Sequence, residues 1–131
     1  MLRTALPYLT ENSVAVVASS HDVGHPRVGV AAYHASKAAL DEILRSWRAE
    51  HPELAVIRVS VGPTEGTEIL RGADCDLLAD LYRAWAHQGQ IPAKMSAVDD
   101  VANAMLSLVA VARANPSVVT DIVHLAPRAS R

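Results

Sequence analysis

The stretch Val17-Ala-Ser-Ser-His-Asp-Val-Gly-His-Pro-Arg-Val-Gly-Val-Ala-Ala-Tyr-His-Ala-Ser-Lys-Ala-Ala-Leu40 joins an apolar run to a helical pattern. The run itself covers residues 14–18 and is rich in β-branched side chains, which is typical of a strand buried on both faces. Residues 19–29 contain two glycines and one proline, which indicates a loop. From residue 30 to about residue 50, apolar side chains recur every three or four positions and predict an amphipathic helix.

Strands and helices continue to alternate beyond this stretch. His51-Pro52 ends the helix, because a proline disfavours helical geometry in the residue before it. The patterns then predict two further strands and two further helices, at residues 54–60, 76–87, 97–114 and 118–125. Ser96 is the expected N-cap of the last helix, and Arg58, inside a strand, is expected to reach a carboxylate or the end of the sheet. Such alternation indicates an α/β fold with a largely parallel sheet, and the lack of repeats or interior linkers predicts one domain over residues 1–131.

The composition suits a protein that folds around one ordinary core. Half of the 131 residues are apolar, which is enough to bury a core without disulfide or metal staples. The formal charge is −2 and the arginines are scattered, so we expect neither nucleic acid nor a membrane surface as a partner. Cys75 is the only cysteine, which excludes an internal disulfide and a multi-cysteine zinc site. No apolar run approaches the roughly 18 residues that cross a bilayer, and no signal peptide is recognisable, so we expect a cytoplasmic protein.

Tyr33 and Lys37 carry the strongest chemical signal. They are four residues apart near the start of the predicted helix, so both side chains share one face. A lysine ammonium close to a phenol favours the phenolate, and such a tyrosine can exchange a proton with an alcohol or carbonyl. Ser20 follows the first strand, where open α/β sheets gather ligands, and its hydroxyl is placed to hold a substrate oxygen. The alternative for this weak motif is a tyrosine that only packs at a helix start.

In combination, these residues resemble the short-chain dehydrogenase/reductase family. The resemblance rests on Ser20, on the pair Tyr33 and Lys37, and on the thirteen-residue spacing from Ser20 to Tyr33. It extends to the end of the family's preceding helix, its sixth strand and turn, the start of its last major helix and its seventh strand, at residues 5–9, 57–63, 100–102 and 120–125. The resemblance implies a partial Rossmann-like, doubly wound fold with roughly three mostly parallel strands and flanking helices.

The same resemblance implies an oxidoreductase that uses NAD or NADP to reduce a small-molecule carbonyl or to oxidise an alcohol. Tyr33 would be the general acid/base, Lys37 would hold the nicotinamide ribose and favour the ionised tyrosine, and Ser20 would orient the substrate oxygen. The loop Gly62-Pro63-Thr64 would lie against the nicotinamide. His21 follows Ser20 in a loop that borders the substrate pocket in the family, so substrate contact is implied for it as well.

The sequence departs from the family's pattern in two ways. Val61 replaces the proline before the turn glycine, and Gly66 stands where a threonine is expected, with Thr67 one residue later. The family's Gly-rich dinucleotide fingerprint, its Asn-Ala-Gly stretch and its catalytic asparagine have no counterpart in this sequence. Judged against the family, the chain resembles the C-terminal half of the enzyme. We therefore expect it to bind NAD(P) poorly and to be inactive by itself.

A missing first half predicts an unpaired edge on the strand at residues 14–18. We therefore expect the chain to pair with itself, to join a separate N-terminal, nucleotide-binding half, or to aggregate. In the family, the helices that correspond to residues 2–9 and 30–50 form a dimer interface. The alternative to an enzyme is a non-enzymatic module that self-associates or binds another protein, with Ser20, Tyr33 and Lys37 unused.

Five other residues have two interpretations each. His21, Asp22 and His25 suggest a metal site or a Ser-His-Asp triad, but their position in one short loop favours a solvated loop and no metal site. Tyr82 and Trp85 lie in the segment that covers the substrate in the family. Packing is their expected role, and substrate contact is the alternative.

Overall fold

A computed structural model describes residues 2–11, 13–68 and 71–128. Four helices and three strands follow one another in these ranges. They are α1 (Leu2–Ala5), β1 (Val14–Ser20), α2 (Ala31–Glu50), β2 (Ala55–Val61), α3 (Cys75–His87), α4 (Val98–Ala114) and β3 (Ile122–Leu125). A 3-10 turn, Leu6–Tyr8, follows α1. None of the described helices combines the length and the apolar character that a membrane crossing needs.

The three strands form one parallel sheet in the order β1-β2-β3. Val14 pairs with Ala55 and Ser20 with Val61, so β1 and β2 run in step over their whole length. β3 pairs with the second half of β2, with Leu125 opposite Val61. The carboxyl ends of all three strands therefore meet at one edge of the sheet, where ligands of open α/β sheets bind. The predicted α/β class with mostly parallel strands is confirmed.

Helices lie on both faces of this sheet. Leu44 and Trp47 of α2 are buried against Val56 of β2. Because side chains alternate between the faces of a strand, the fully buried Ile57 and Val59 point to the opposite face. α4 contacts both β1 and β2 and covers that second face. The sheet is thus the middle layer of three.

The coverage of α4 and β1 is incomplete. None of the residues of α4 is buried, although the helix is mostly apolar. Leu106 and Val111 on α4 are 68% and 51% exposed. Within the described ranges β1 pairs with β2 alone, and Ala18 near its end is exposed. The second face of the sheet and the free edge of β1 therefore present apolar surface.

The starts of α3 and α4 differ from each other. Asp74 caps α3, where its carboxylate accepts hydrogen bonds from two backbone N–H groups of the first turn. The prediction that Ser96 caps α4 is wrong, because Ser96 forms a parallel bridge with Thr64 instead. Ala97 occupies the cap position and makes no side-chain hydrogen bond. Ser96 therefore links the segment before α4 to the loop that follows β2.

The last strand is shorter than its β-branched composition predicts. β3 covers Ile122–Leu125, whereas the sequence pattern predicted residues 118–125. Val118 donates its N–H to the carbonyl of Asn115 in a turn after α4, and Val119 is 86% exposed. Valines in this turn therefore satisfy the strand pattern without pairing with β2.

Candidate active site

Ser20 is the last residue of β1 and lies at the edge of the sheet where the carboxyl ends of the three strands meet. It is buried, and its Oγ accepts a hydrogen bond of 3.1 Å from the backbone N–H of Asp22. This bond uses an oxygen lone pair, so the hydroxyl proton stays available to a second acceptor. Ser20 can therefore donate a hydrogen bond to a substrate oxygen.

Tyr33 and Lys37 lie one turn apart near the start of α2. Lys37 Nζ donates a hydrogen bond of 3.1 Å to the backbone carbonyl of Ala18. The same Nζ lies 5.9 Å from the centre of the Tyr33 ring, within the roughly 6 Å over which an ammonium and an aromatic ring attract each other. The ammonium, the phenol and the end of β1 therefore lie together.

One cavity of about 350 Å³ brings Ser20 and Tyr33 together. Its wall is largely apolar and includes Trp85 of α3 and Met105 of α4. A volume of this size accommodates a small organic molecule. Lys37 is not part of the lining, and its ammonium lies beside the Tyr33 ring.

The loop after β2 contributes Gly62, Pro63 and Thr64 to the same lining. The N–H of Gly62 donates to the carbonyl of Leu125 at 2.7 Å, and a Cβ at Gly62 would lie 3.1 Å from that carbonyl oxygen. Thr64 Oγ1 donates to the carbonyl of Gly62, and the N–H of Ser96 donates to the carbonyl of Pro63. The loop is therefore fixed from both sides, and glycine permits its close approach to β3.

These residues fit the nicotinamide–ribose end of a dinucleotide. Tyr33 and the loop 62–64 share one lining, and the Lys37 ammonium lies beside the Tyr33 ring. An ammonium has three donor protons, so Lys37 keeps two for ribose hydroxyls beyond its bond to Ala18. The sequence has no Gly-rich turn for a pyrophosphate, so the fit covers this end of the cofactor only.

Comparisons with known proteins show which solved structures share this fold. No family model and no curated protein matches the sequence. A small-chain dehydrogenase in complex with NADPH matches with a TM-score of 0.68 and 19% identity, over 94% of this chain and 53% of that one. A putative dehydrogenase from Burkholderia cenocepacia with bound NADP matches with a TM-score of 0.66 and 17% identity, over 95% and 47%. A short-chain dehydrogenase/reductase described as a glucose/ribitol dehydrogenase, from Brucella melitensis, matches with a TM-score of 0.62 and 22% identity, over 95% and 46%.

The chain has the fold of part of a short-chain dehydrogenase/reductase. It spans about half the length of the solved structures that it matches. At identities of 17–22% the likeness concerns the fold, and it confirms the predicted partial Rossmann-like architecture.

His21 lies apart from the cavity that holds Ser20 and Tyr33. With His25 it lines a neighbouring cavity of about 360 Å³, and the two imidazole rings stack with their centres 4.9 Å apart. Both cavities include Arg27 and Pro63, so they adjoin each other. Among the described residues no three His, Cys, Asp or Glu side chains are placed to share a metal ion. The substrate role of His21 stays a prediction.

Sequence reasoning missed a charged pair in the main cavity. Asp22 and Arg27 both contribute to the lining, and Arg27 Nη2 lies 2.9 Å from Asp22 Oδ1. The Arg27 guanidinium also lies 5.9 Å from the centre of the Trp85 ring. The five-residue spacing in a loop gives no periodic signal, so only the fold brings these two side chains together.

A second buried pair lies behind the site. Arg58 of β2 contacts Asp41 of α2, with Arg58 Nη2 2.9 Å from Asp41 Oδ2, and Ser19 donates a hydrogen bond to the other carboxylate oxygen. The expectation that Arg58 reaches a carboxylate is therefore met. Asp41 lies four residues after Lys37, on the same helix face. This spacing was the available signal that Asp41 faces the sheet.

Proposed function

We propose that this chain is the catalytic and substrate-binding part of an oxidoreductase of the short-chain dehydrogenase/reductase type. It would reduce a small-molecule carbonyl or oxidise the corresponding alcohol. The observation that carries the proposal is the single cavity lined by Ser20, Tyr33 and the loop 62–64, with Lys37 beside Tyr33. Two structures of similar fold contain NADPH or NADP, which supports a nicotinamide cofactor.

In the proposed reduction, Lys37 and the loop 62–64 would hold a nicotinamide cofactor, which would supply the hydride for the carbonyl carbon. Ser20 donates a hydrogen bond to the substrate oxygen and holds it beside Tyr33. Tyr33 transfers its phenolic proton to that oxygen as negative charge develops there, which gives the alcohol. The Lys37 ammonium stabilises the phenolate that remains, and the apolar wall excludes water. In the oxidation the phenolate takes the proton back.

The proposal includes a nucleotide-binding part, supplied by a partner or by a longer polypeptide. The described site fits the nicotinamide–ribose end and offers nothing to a pyrophosphate. The unpaired edge of β1 and the exposed apolar side chains of α4 support contact with such a part or with a second copy of the chain. Self-association and a cytoplasmic location stay predictions from the sequence.

A binding experiment tests this proposal on the chain itself. Reduced nicotinamide mononucleotide and NADPH are titrated separately into the ¹⁵N-labelled chain, and amide shifts near Tyr33 and Gly62 are followed by NMR. We expect both compounds to bind weakly and with similar dissociation constants, because the sequence has no Gly-rich turn to hold the pyrophosphate of NADPH. Lys37→Met should weaken the binding of both compounds by about tenfold or more. Chemical-shift changes confined to other parts of the chain would refute the site. Submicromolar binding of NADPH would refute the expectation that the chain binds only the nicotinamide end of the cofactor.

The second candidate function is a non-enzymatic module that associates through its apolar surface. The exposure of Leu106 and Val111 on α4 favours it. It predicts that Leu106→Glu disrupts association while nicotinamide compounds leave the Tyr33 region unperturbed. The two functions therefore separate in the same NMR titration.

A further inference from the structure

Asp22 and Arg27 are the charged side chains that line the main cavity within the described residues. Their side chains are 17% and 15% exposed, so the pair is largely withdrawn from water. Every other residue of that lining is neutral, and most are apolar. The charge state of this pair therefore decides which ligands the cavity can hold.

The Arg27 guanidinium is contacted on two sides, by a carboxylate and by an aromatic ring. Asp22 Oδ1 accepts from it at 2.9 Å, and the Trp85 ring lies under it at 5.9 Å. Trp85 is held in turn, because its indole N–H donates to the carbonyl of Val28 at 2.9 Å. Arg27 is therefore already paired, and its guanidinium is not free to bind an anionic ligand.

The remaining neighbour of the carboxylate is His34. Its Nε2 lies 3.9 Å from Asp22 Oδ2 and adds a positive charge only when the ring is protonated. The carboxylate and the guanidinium form one ion pair, in which their opposite charges cancel each other.

We propose that Asp22 determines the substrate specificity of the cavity: by neutralising Arg27, it selects an uncharged, apolar carbonyl compound or alcohol and rejects carboxylate-bearing analogues. The inference rests on the proposed function, since it takes Ser20 and Tyr33 to hold the substrate oxygen. A ligand carboxylate would have to lose its water beside a guanidinium already engaged by Asp22, and would meet the like charge of Asp22 as well. A neutral aromatic or alicyclic ketone brings no charge to this pair, and the rest of the lining offers it mostly apolar wall together with neutral hydroxyl groups.

The test uses acetophenone and 4-acetylbenzoate, which differ by one carboxylate. Both are titrated at pH 8 into the ¹⁵N-labelled chain without cofactor, and the indole N–H signal of Trp85 reports binding. The signal of Trp47, which is buried in the cluster on the α2 face, is the internal control. We expect the carboxylate to bind at least about tenfold more weakly than the ketone, a difference of about 1.4 kcal/mol. Equal affinities, or no Trp85 shift with either compound, would overturn the proposal.

Variants of the pair then separate specificity from general damage. Asp22→Asn frees Arg27 and should raise the affinity for 4-acetylbenzoate to that for acetophenone or above it. The double variant Asp22→Asn, Arg27→Gln removes both charges and should restore the preference for acetophenone. If Asp22→Asn does not fold, Arg27→Gln decides, since an unpaired Asp22 should enlarge the discrimination beyond that of the unaltered chain. An unchanged affinity ratio in the folded variants contradicts the proposal.

The outcomes distinguish this inference from the proposed function. The titration contains no nicotinamide, so a selectivity that follows the Asp22–Arg27 charge state stands even if hydride transfer fails. Conversely, hydride transfer with no change of selectivity in Asp22→Asn would refute the inference and leave the proposed function intact.

Discussion

Lys37 on α2 donates a hydrogen bond of 3.1 Å from Nζ to the backbone carbonyl of Ala18 near the end of β1. This single contact ties the helix that carries Tyr33 to the strand that ends in Ser20. It also holds the ammonium 5.9 Å from the centre of the Tyr33 ring. The position of the cation thus depends on the sheet as well as on the helix.

Replacing Lys37 should therefore weaken ligand binding at least as much as it weakens the fold. Lys37→Met removes one hydrogen bond, which costs about 0.5–1.5 kcal/mol of unfolding free energy. It also removes the donor for a ribose hydroxyl, so the affinity for reduced nicotinamide mononucleotide should fall by about tenfold or more. Urea denaturation and the NMR titration measure the two effects. Unchanged nucleotide affinity in folded Lys37→Met would contradict the role given to this ammonium.

The buried pair of Asp41 and Arg58 should contribute mainly to stability. Their side chains are 9% and 16% exposed, and Ser19 completes the carboxylate's contacts. Asp41→Asn leaves the guanidinium without a compensating charge, and we expect a loss of up to about 3 kcal/mol in urea denaturation. This loss lies at the lower end of the stability cost of removing one partner of a buried ion pair, because Arg58 keeps some contact with water.

The same helix supplies a matched control. Glu42 and Arg45 form an ion pair whose side chains are 65% and 76% exposed. Glu42→Gln should change the free energy of unfolding by less than about 0.5 kcal/mol, because exposed pairs are screened by water and salt. If both substitutions cost the same, burial is not what gives the Asp41–Arg58 pair its importance.

Two glycines in the loop before α2 allow a comparison of strain with packing. Gly24 and Gly29 both have positive φ, +86° and +83°. A Cβ at Gly29 would overlap the Leu81 side chain of α3, whereas a Cβ at Gly24 would meet nothing within 4 Å. Gly29→Ala should therefore cost about 1–3 kcal/mol more than Gly24→Ala, because only the former adds overpacking to backbone strain.

The readout for this comparison is the Trp85 indole N–H, which donates to Val28 next to Gly29. Displacing α3 in Gly29→Ala should speed hydrogen exchange at this group, while Gly24→Ala should leave it slow. Equal exchange in the two variants would show that α3 does not depend on the close approach at Gly29.

Among the residues that the structure describes, one edge of β1 has no partner strand, which predicts association in solution. One chain has a mass of 14.0 kDa, and sedimentation equilibrium at tens of micromolar should return a larger mass. Leu106→Glu, on the exposed side of α4, should lower that mass if the apolar surface of α4 takes part. A monomer mass for the unaltered chain at these concentrations would contradict the prediction.

Local patterns in the sequence were sufficient for the strand and helix order. The apolar run in β1 and the three- and four-residue periodicity of α2 predict their elements to within a residue or two at each end. The four-residue spacing of Tyr33 and Lys37 likewise specifies a shared helix face without knowledge of the fold. These features depend only on residues that are close together in the sequence, which is why they can be predicted from it.

Other features depend on contacts between distant segments and were not predictable. Ser96 has good N-cap chemistry, yet the bridge to Thr64 uses it differently. Val118 and Val119 favour a strand, but the turn after α4 keeps them from pairing. The meeting of Arg27 with Trp85 requires the loop before α2 to lie against α3, which no local pattern encodes.

Hydride transfer to a ketone is the direct test of the proposed oxidoreductase activity. We expect the isolated chain to be inactive with NAD(P) because its sequence has no Gly-rich turn for the pyrophosphate. The chain is therefore incubated with acetophenone and with reduced nicotinamide mononucleotide deuterated at C4, a cofactor fragment that needs no adenosine contacts and is supplied at millimolar concentration to offset weak binding. Mass spectrometry then measures deuterium at the carbinol carbon of 1-phenylethanol. We expect labelled alcohol above the protein-free background, and about 100-fold less of it with Tyr33→Phe because the proton donor is lost. Labelled alcohol that does not exceed the background, or that forms equally fast in Tyr33→Phe, would contradict it.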